Sequence, residues 1–435
     1  MITFIKKVVT NRKREYLTLT IILSILASFE FCTLAMYSSM GLANDNMLVT
    51  MALNGLPTLT TFISLVLSVF IAKYFIDSKK QEFSILLLSG RDNKDLFLYL
   101  LIQYGVLVLI SFIIGSFLGY FLVILMNTVI QQLSIPYLLK YSFLDTLYLY
   151  IIFMFITIMF ILAVSAHQFI MLDRSLSAYL SRKKSIDKAP YKMQFSAISK
   201  NKIPVSSILT LIFGICIFVF YLRELLNSQT DIRALWFYYI FTLLGLSIII
   251  NKTMPLIYDF FHRQLIKYPV LFHVFAYFND FSKALSVLVN LNANLIPTML
   301  FLVIISEGQT ILQVIVIPCF IMTVIMIGLC FILRYIMYDK HIRTTIATLN
   351  AVGYGPKKLK VILSLKNVFF ILFEIVVPLI LFLVLALRYL NYNVCICLTF
   401  VYVLLYLIVI LFIFIKENKM IKEVAGDVQY LNRGE

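Results

Sequence analysis

Two stretches decide how this chain is read. The first is Lys80-Gln-Glu-Phe-Ser-Ile-Leu-Leu-Leu-Ser-Gly-Arg-Asp-Asn-Lys-Asp-Leu96. The second, 263 positions further on, is Arg343-Thr-Thr-Ile-Ala-Thr-Leu-Asn-Ala-Val-Gly-Tyr-Gly-Pro-Lys-Lys-Leu359. Leu86 matches Leu349, Gly90 matches Gly353, Lys94 matches Lys357, Leu96 matches Leu359, and Lys80 stands where Arg343 stands. The identities are few, but the context is shared. Each copy leaves a long apolar span, forms a short basic helix, breaks at glycine and restarts into another apolar span. A segment of this kind, met twice, implies a duplicated helical bundle.

The composition fixes the medium. Hydrophobic residues make up 62% of the 435 positions and charged residues only 13%, and the mean hydropathy is +0.97. A soluble domain of this size carries about 25% charged residues. About 20 apolar residues carry a helix across the hydrocarbon layer. Ten such spans are expected, at about 17–39, 56–76, 97–126, 146–170, 204–222, 234–254, 284–306, 311–335, 361–387 and 394–415. The seventh is the weakest, because Asn290, Asn292, Asn294 and Pro297 interrupt it. The expected fold class is an all-α integral membrane protein with two three-helix repeats, spans 2–4 and spans 8–10.

Charge orients the spans. With ten crossings both termini share a side, and 33 of the 37 Lys and Arg fall on it. The positive-inside rule makes that side cytoplasmic. The net charge of +16 is then mostly a topology signal, with anionic lipid headgroups as its ordinary partner. Nucleic-acid binding would need a basic soluble domain, and the sequence shows none. Residues 1–16 read as an amphipathic helix on the inner leaflet, with Ile5, Val8 and Val9 facing the lipid and Lys6, Lys7, Arg12, Lys13 and Arg14 facing headgroups. The expected organisation is an amphipathic helix and first span over 1–55, the first repeat over 56–172, a basic loop and three spans over 173–310, and the second repeat with its tail over 311–435.

Enzymatic chemistry finds little footing. The chain has no Gly-Lys dipeptide, hence no phosphate-binding loop of the G-x-x-x-x-G-K-[ST] type. The six cysteines lie in or beside apolar spans and read as apolar packing. Cys395 and Cys397 lack metal-ligand spacing and the four histidines are scattered, so no metal is expected. Two acids stand out: Glu30 and Glu374, near the middles of spans 1 and 9. An acid in hydrocarbon is costly and faces an interior or water. Both are candidates for a polar groove that meets substrate, with a protonated, hydrogen-bonded carboxyl as the plainer alternative. Gly115 and Gly119 have the spacing of a close helix contact. Pro297, Pro318 and Pro378 mark places where spans 7, 8 and 9 are expected to be interrupted.

At the two quoted stretches the chain resembles the FtsX-like, or MacB-type, permease domain of ABC transporters. The family pattern is close to Arg-x-Glu-Ile-x-x-Leu-x-x-x-Gly. Lys80, Glu82, Leu86 and Gly90 fit it in the first copy; Arg343, Ile346, Leu349 and Gly353 fit it in the second, with Thr345 where an acid is usual. The layout of spans resembles the bacitracin-efflux-type permeases of peptide-antibiotic resistance. Those carry a large extracellular domain between spans 7 and 8, where this chain has Glu307-Gly-Gln-Thr310. The resemblance implies a permease that exports, or extracts from the membrane, an amphipathic peptide or lipid-like molecule. It implies a separate cytoplasmic ABC ATPase, two copies per permease, carrying the ATP and Mg while this chain holds no cofactor. It also implies a sensor kinase as a further partner. The coupling residues it points to are Lys80, Glu82, Gly90, Lys94, Arg343, Gly353 and Lys357. Two other readings stay open at this point: a scaffold relaying ATPase motion to an extracellular partner, and an ion-coupled carrier using Glu30 and Glu374.

Overall fold

The computed structural model describes residues 13–38, 47–78, 93–132, 142–172, 205–227, 232–265, 267–305, 310–372 and 392–431. Among them are ten helices: α1 (Lys13–Ser38), α2 (Met47–Ser78), α3 (Asn93–Gln132), α4 (Phe143–Leu172), α5 (Val205–Asn227), α6 (Ile232–Leu265), α7 (Pro269–Ile305), α8 (Thr310–Ala351), α9 (Pro356–Ile371) and α10 (Tyr392–Leu431). They follow the ten expected spans in order. Six contain stretches long and apolar enough to cross a membrane: Tyr16–Ser38, Phe97–Gln132, Phe143–Val164, Ser206–Leu225, Val316–Ile336 and Ile396–Glu423. The helices α2 and α6 carry shorter apolar stretches, Thr58–Ala72 and Phe237–Thr253. Residues 1–12, where the amphipathic helix is expected to start, and 373–391, with most of span 9 and Pro378, lie outside the described residues.

Bulky apolar side chains line the outside of these helices. On α3, Val106, Ile113, Phe117 and Phe121 are exposed, and on α10 Phe400 and Leu411 are. An apolar surface of this extent belongs against lipid, where exposing it costs nothing.

The chain divides into two compact units. Unit 1 comprises Met1–Met193 with Ser306–Leu333, and unit 2 comprises Gln194–Ile305 with Arg334–Glu435. The first half of α8 thus belongs to unit 1 and the second half to unit 2.

In unit 1, α1 is the enclosed helix. It packs along α3 and also meets α2 and α4. Two glycines set the α1–α3 approach. A Cβ on Gly115 would lie 2.5 Å from the Ala27 Cβ, and one on Gly119 would lie 2.6 Å from the Phe31 Cβ and 2.8 Å from the Ser28 carbonyl oxygen. The expected small-residue contact is real, and its partner is the first span. Aromatic rings close the seam at one end, with Phe31 edge-on to Tyr150 at 5.4 Å. Ser38 and Thr146 share a hydrogen bond of 2.9 Å between α1 and α4.

In unit 2, α5 packs closely on α6. A Cβ on Gly245 would fall 2.8 Å from the Phe218 backbone nitrogen, and one on Gly214 would fall 2.6 Å from an Ile248 methyl. The asparagines of α7 look both ways. Asn290 and Asn294, four residues apart, share a face. Asn290 exchanges amide hydrogen bonds with Asn251 of α6, at 2.8 and 3.3 Å. Asn294 donates to the Ser247 hydroxyl at 2.8 Å. Asn292, about 200° around the helix from either, faces α10 instead. It accepts from Tyr406 OH at 2.6 Å and donates to Tyr402 OH at 3.1 Å. The polar residues that weaken the seventh span in the sequence therefore bind it sideways to two neighbours.

Two sequence expectations change here. Pro297 and Pro318 do not interrupt their helices: α7 and α8 run through them. Nor is the second basic segment a separate short helix. It is the last part of α8, which is continuous from Thr310 to Ala351, because nothing between Ile336 and Ala351 is Gly or Pro.

Candidate functional site

The second quoted stretch forms one end of unit 2. Its α8 portion is amphipathic: Ile342, Ile346 and Leu349 are buried, while Arg343, Thr344, Ala347 and Thr348 are exposed. The helix ends in a turn of the Schellman type. The Gly353 N–H donates to the Asn350 carbonyl at 2.9 Å and the Tyr354 N–H to the Leu349 carbonyl at 3.0 Å. Such a turn needs a left-handed residue at its apex, and Gly353 has φ of +97°. A Cβ there would meet nothing within 4 Å, so the demand for glycine is a demand of the backbone alone.

The restart follows sequence logic as well. Gly355 is the N-cap of α9, in extended conformation, and Pro356 occupies the first turn, where its missing N–H is not needed. Leu359 is buried while Lys357, Lys358 and Lys360 are exposed. The turn thus presents an exposed glycine backbone beside three lysines at a helix N-terminus. Tyr354 rests edge-on against His273 of α7, ring centres 5.2 Å apart. Burial holds the His273 imidazole below its usual pKa.

Two ion pairs fasten this end to α10. Arg343 meets Glu423 at 3.0 Å, with side chains 48% and 39% exposed; such a pair contributes little to stability. The second is buried. Lys366 of α9 donates to Glu417 of α10, the two side chains only 3% and 2% exposed. Asn367 donates to the other Glu417 oxygen at 2.7 Å. Sequence reasoning missed this triad and counted Lys366 as ordinary charge beyond the membrane. The signal was a lysine and an asparagine adjacent at the head of an apolar run, a pattern that asks for a carboxylate on a neighbouring helix.

Of the coupling residues read from sequence, the structure gathers Arg343, Gly353 and Lys357 at this one end. Lys94 lies in the first turn of α3, and Lys80, Glu82 and Gly90 fall outside the described residues. Glu374 is outside them too. Glu30, 1% exposed, sits inside unit 1, where the Ser64 hydroxyl donates to its Oε1 at 2.6 Å. Its Oε2 meets no hydrogen-bond partner among the described residues.

Residues 54–170 match the family model of the FtsX-like permease C-terminal domain. The matched segment takes in most of α2, all of α3 and nearly all of α4, the stretch expected from the sequence to be the first repeat, and it contains the first quoted stretch. That segment is similar to the FtsX-like permease domain, a family found as a component of transporters and not of enzymes as a rule. Between α7 and α8, where related permeases were expected to hold an extracellular domain, only residues 306–309 intervene. No curated protein matches the chain.

Proposed function

We propose that this chain is the membrane subunit of an ABC transporter, with ten spans and both termini in the cytoplasm of a bacterial cell. Its two matching segments, 80–96 and 343–359, receive the stroke of a separate ATPase present in two copies, which carries ATP and Mg. The substrate is an amphipathic peptide or a lipid-like molecule, exported or lifted from the membrane, and the physiological outcome is resistance to antimicrobial peptides. A single observation supports the coupling role best. The Gly353 turn is exposed, basic and glycine-specific by backbone geometry, yet no neighbour crowds it. A feature that packing does not require is available for a partner. A helix can transmit a push, and the turn joins the end of α8 to the start of α9, which packs on α7 and α10. Glu30 and Glu374 are each, separately, a candidate to meet a cationic substrate.

The test uses the permease purified with its ATPase in nanodiscs. Gly353→Val should keep its level in the membrane and its association with the ATPase while substrate transport per ATP hydrolysed falls tenfold or more. Unchanged coupling in a correctly assembled complex would reduce the turn to an ordinary helix end.

A further inference from the structure

Within unit 1, α3 and α4 meet differently along their length. Toward the far end of α3 the Tyr150 hydroxyl of α4 donates to the Phe112 carbonyl at 2.9 Å. The rings of Phe112 and Tyr150 lie 5.1 Å apart there. Nearer the start of α3 the two helices leave a groove between them. Phe97, Leu101, Tyr104, Gly105 and Val108 line it from α3, and Ile158, Ile161 and Leu162 line it from α4. The α3 residues recur every three or four positions and so form one stripe, about 16 Å long.

Gly105 lies in that stripe, and a Cβ added to it would meet nothing within 4 Å. Gly115 and Gly119 on the same helix are the opposite case, since neighbours fill the space beside them. The missing side chain at Gly105 leaves room instead of closing it. The free volume of the groove is about 60 Å³, several times the roughly 10–15 Å³ that one water-sized group needs. Water has little to hold it there, because a buried water makes about three hydrogen bonds and the lining side chains offer one polar group, the Tyr104 hydroxyl. Hydrocarbon is the filler that the surroundings supply. Val106 and Leu109 of α3 and Phe155 and Met159 of α4 are exposed beside the groove, all within the membrane-crossing stretches Phe97–Gln132 and Phe143–Val164. Tyr104 itself is 3% exposed, and its hydroxyl meets no hydrogen-bond partner among the described residues. A buried donor of this kind asks for an acceptor.

We propose that the groove binds one acyl chain of a membrane phospholipid. The chain lies along the Gly105 stripe between α3 and α4, and its ester carbonyl accepts a hydrogen bond from the Tyr104 hydroxyl. A plain alkane would fill the groove and leave that hydroxyl without a partner. A peptide would bring several backbone amides against walls that satisfy one of them. The bound lipid becomes part of the packing of unit 1, whereas lipid on the outer faces of α3 and α4 exchanges with the bilayer. The site depends only on the membrane setting and stands apart from the ATPase reading.

The test uses the full chain in nanodiscs, with a phosphatidylglycerol that carries a photoreactive diazirine in one acyl chain. After irradiation, peptide mass mapping should find adducts concentrated at 97–108 and 158–162. Gly105→Leu should lower labelling of the groove about tenfold, since leucine takes the place of the chain. Ile158→Trp should do the same from the opposite wall. Tyr104→Phe should lower it about threefold, the effect of one hydrogen bond. Val106→Leu, on the exposed flank, should change nothing. Thermal unfolding of each variant establishes that it is folded, and if one wall variant is not, the other decides. Adducts spread evenly over the exposed faces of α3 and α4, or groove labelling unchanged by the wall variants, would overturn the site. Equal labelling by a diazirine alkane would overturn the assignment to an esterified chain.

Discussion

The seam between α1 and α3 and the turn between α8 and α9 both depend on glycine, for opposite reasons. At Gly115 and Gly119 the backbone angles are those of any helical residue, and what forbids a side chain is the neighbour: atoms of Ala27, Ser28 and Phe31 already occupy the space. At Gly353 the space is empty, and what forbids a side chain is φ of +97°. The first kind of glycine brings helices together and is felt by the whole unit. The second shapes a short exposed turn and is felt locally. Substitutions should therefore separate folding from coupling, and the sharpest tests compare them directly.

The largest effect is expected at a seam held by charge. Glu417→Leu strands Lys366 in a buried position, which costs about 3–5 kcal/mol. Thermal stability in detergent should drop sharply, and Lys366→Met combined with Glu417→Leu should recover much of the loss. No recovery would mean that Asn367 and the surrounding packing matter more than the ion pair. Next comes Gly119→Leu. Overpacking costs about 1–3 kcal/mol, and the backbone at Ser28 has little room to move. Membrane abundance and monodispersity should both fall. A normal yield would break the comparison, because the seam would then be no tighter than the turn.

Gly353→Val should carry a similar cost, about 1–3 kcal/mol for a left-handed non-glycine residue, but confined to the turn and not spread through the unit. Its signature is lost coupling at near-normal abundance, measured as transport per ATP hydrolysed. Gly353→Asn sharpens the point, since asparagine tolerates this conformation. Most of the coupling should return, and failure to return would show that a partner needs the bare backbone. The smallest effect concerns pH. His273 has a folded pKa below its usual value because it is buried, so its contact with Tyr354 is fully stable above about pH 6.5 and weakens as the pH falls below that. Protection factors at residues 350–355, taken against the intrinsic exchange rate at each pH, should fall between about pH 7.5 and 5.5, and should not do so in His273→Phe.

Much of this was legible in the sequence because it rests on local rules. Apolar run length marked the helices, the Gly353 turn followed from glycine and the Gly355-Pro356 restart, and the spacing of Gly115 and Gly119 foretold close packing. What was not legible depends on pairing between distant helices. Gly214 and Gly245 are single glycines in their spans, without the paired glycines of α3, yet they meet each other's helix. Lys366 and Glu417 looked like charges outside the membrane until α9 and α10 were placed side by side. Asn290, Asn292 and Asn294 read as an interruption because a sequence displays polarity without displaying its partner. Prolines 297 and 318 misled for a related reason: a long helix held on several sides tolerates the loss of one backbone bond.

The unbroken length of α8 has one more consequence. Its apolar crossing ends near Ile336, and the helix continues to Ala351. At about 1.5 Å per residue the extension reaches roughly 22 Å along its own axis, more than the thickness of one headgroup layer. The helix is therefore longer than its crossing needs, and the surplus carries Arg343 and leads into the Gly353 turn. A partner that binds this surplus would meet its exposed face, Arg343, Thr344, Ala347 and Thr348, while the opposite face stays packed.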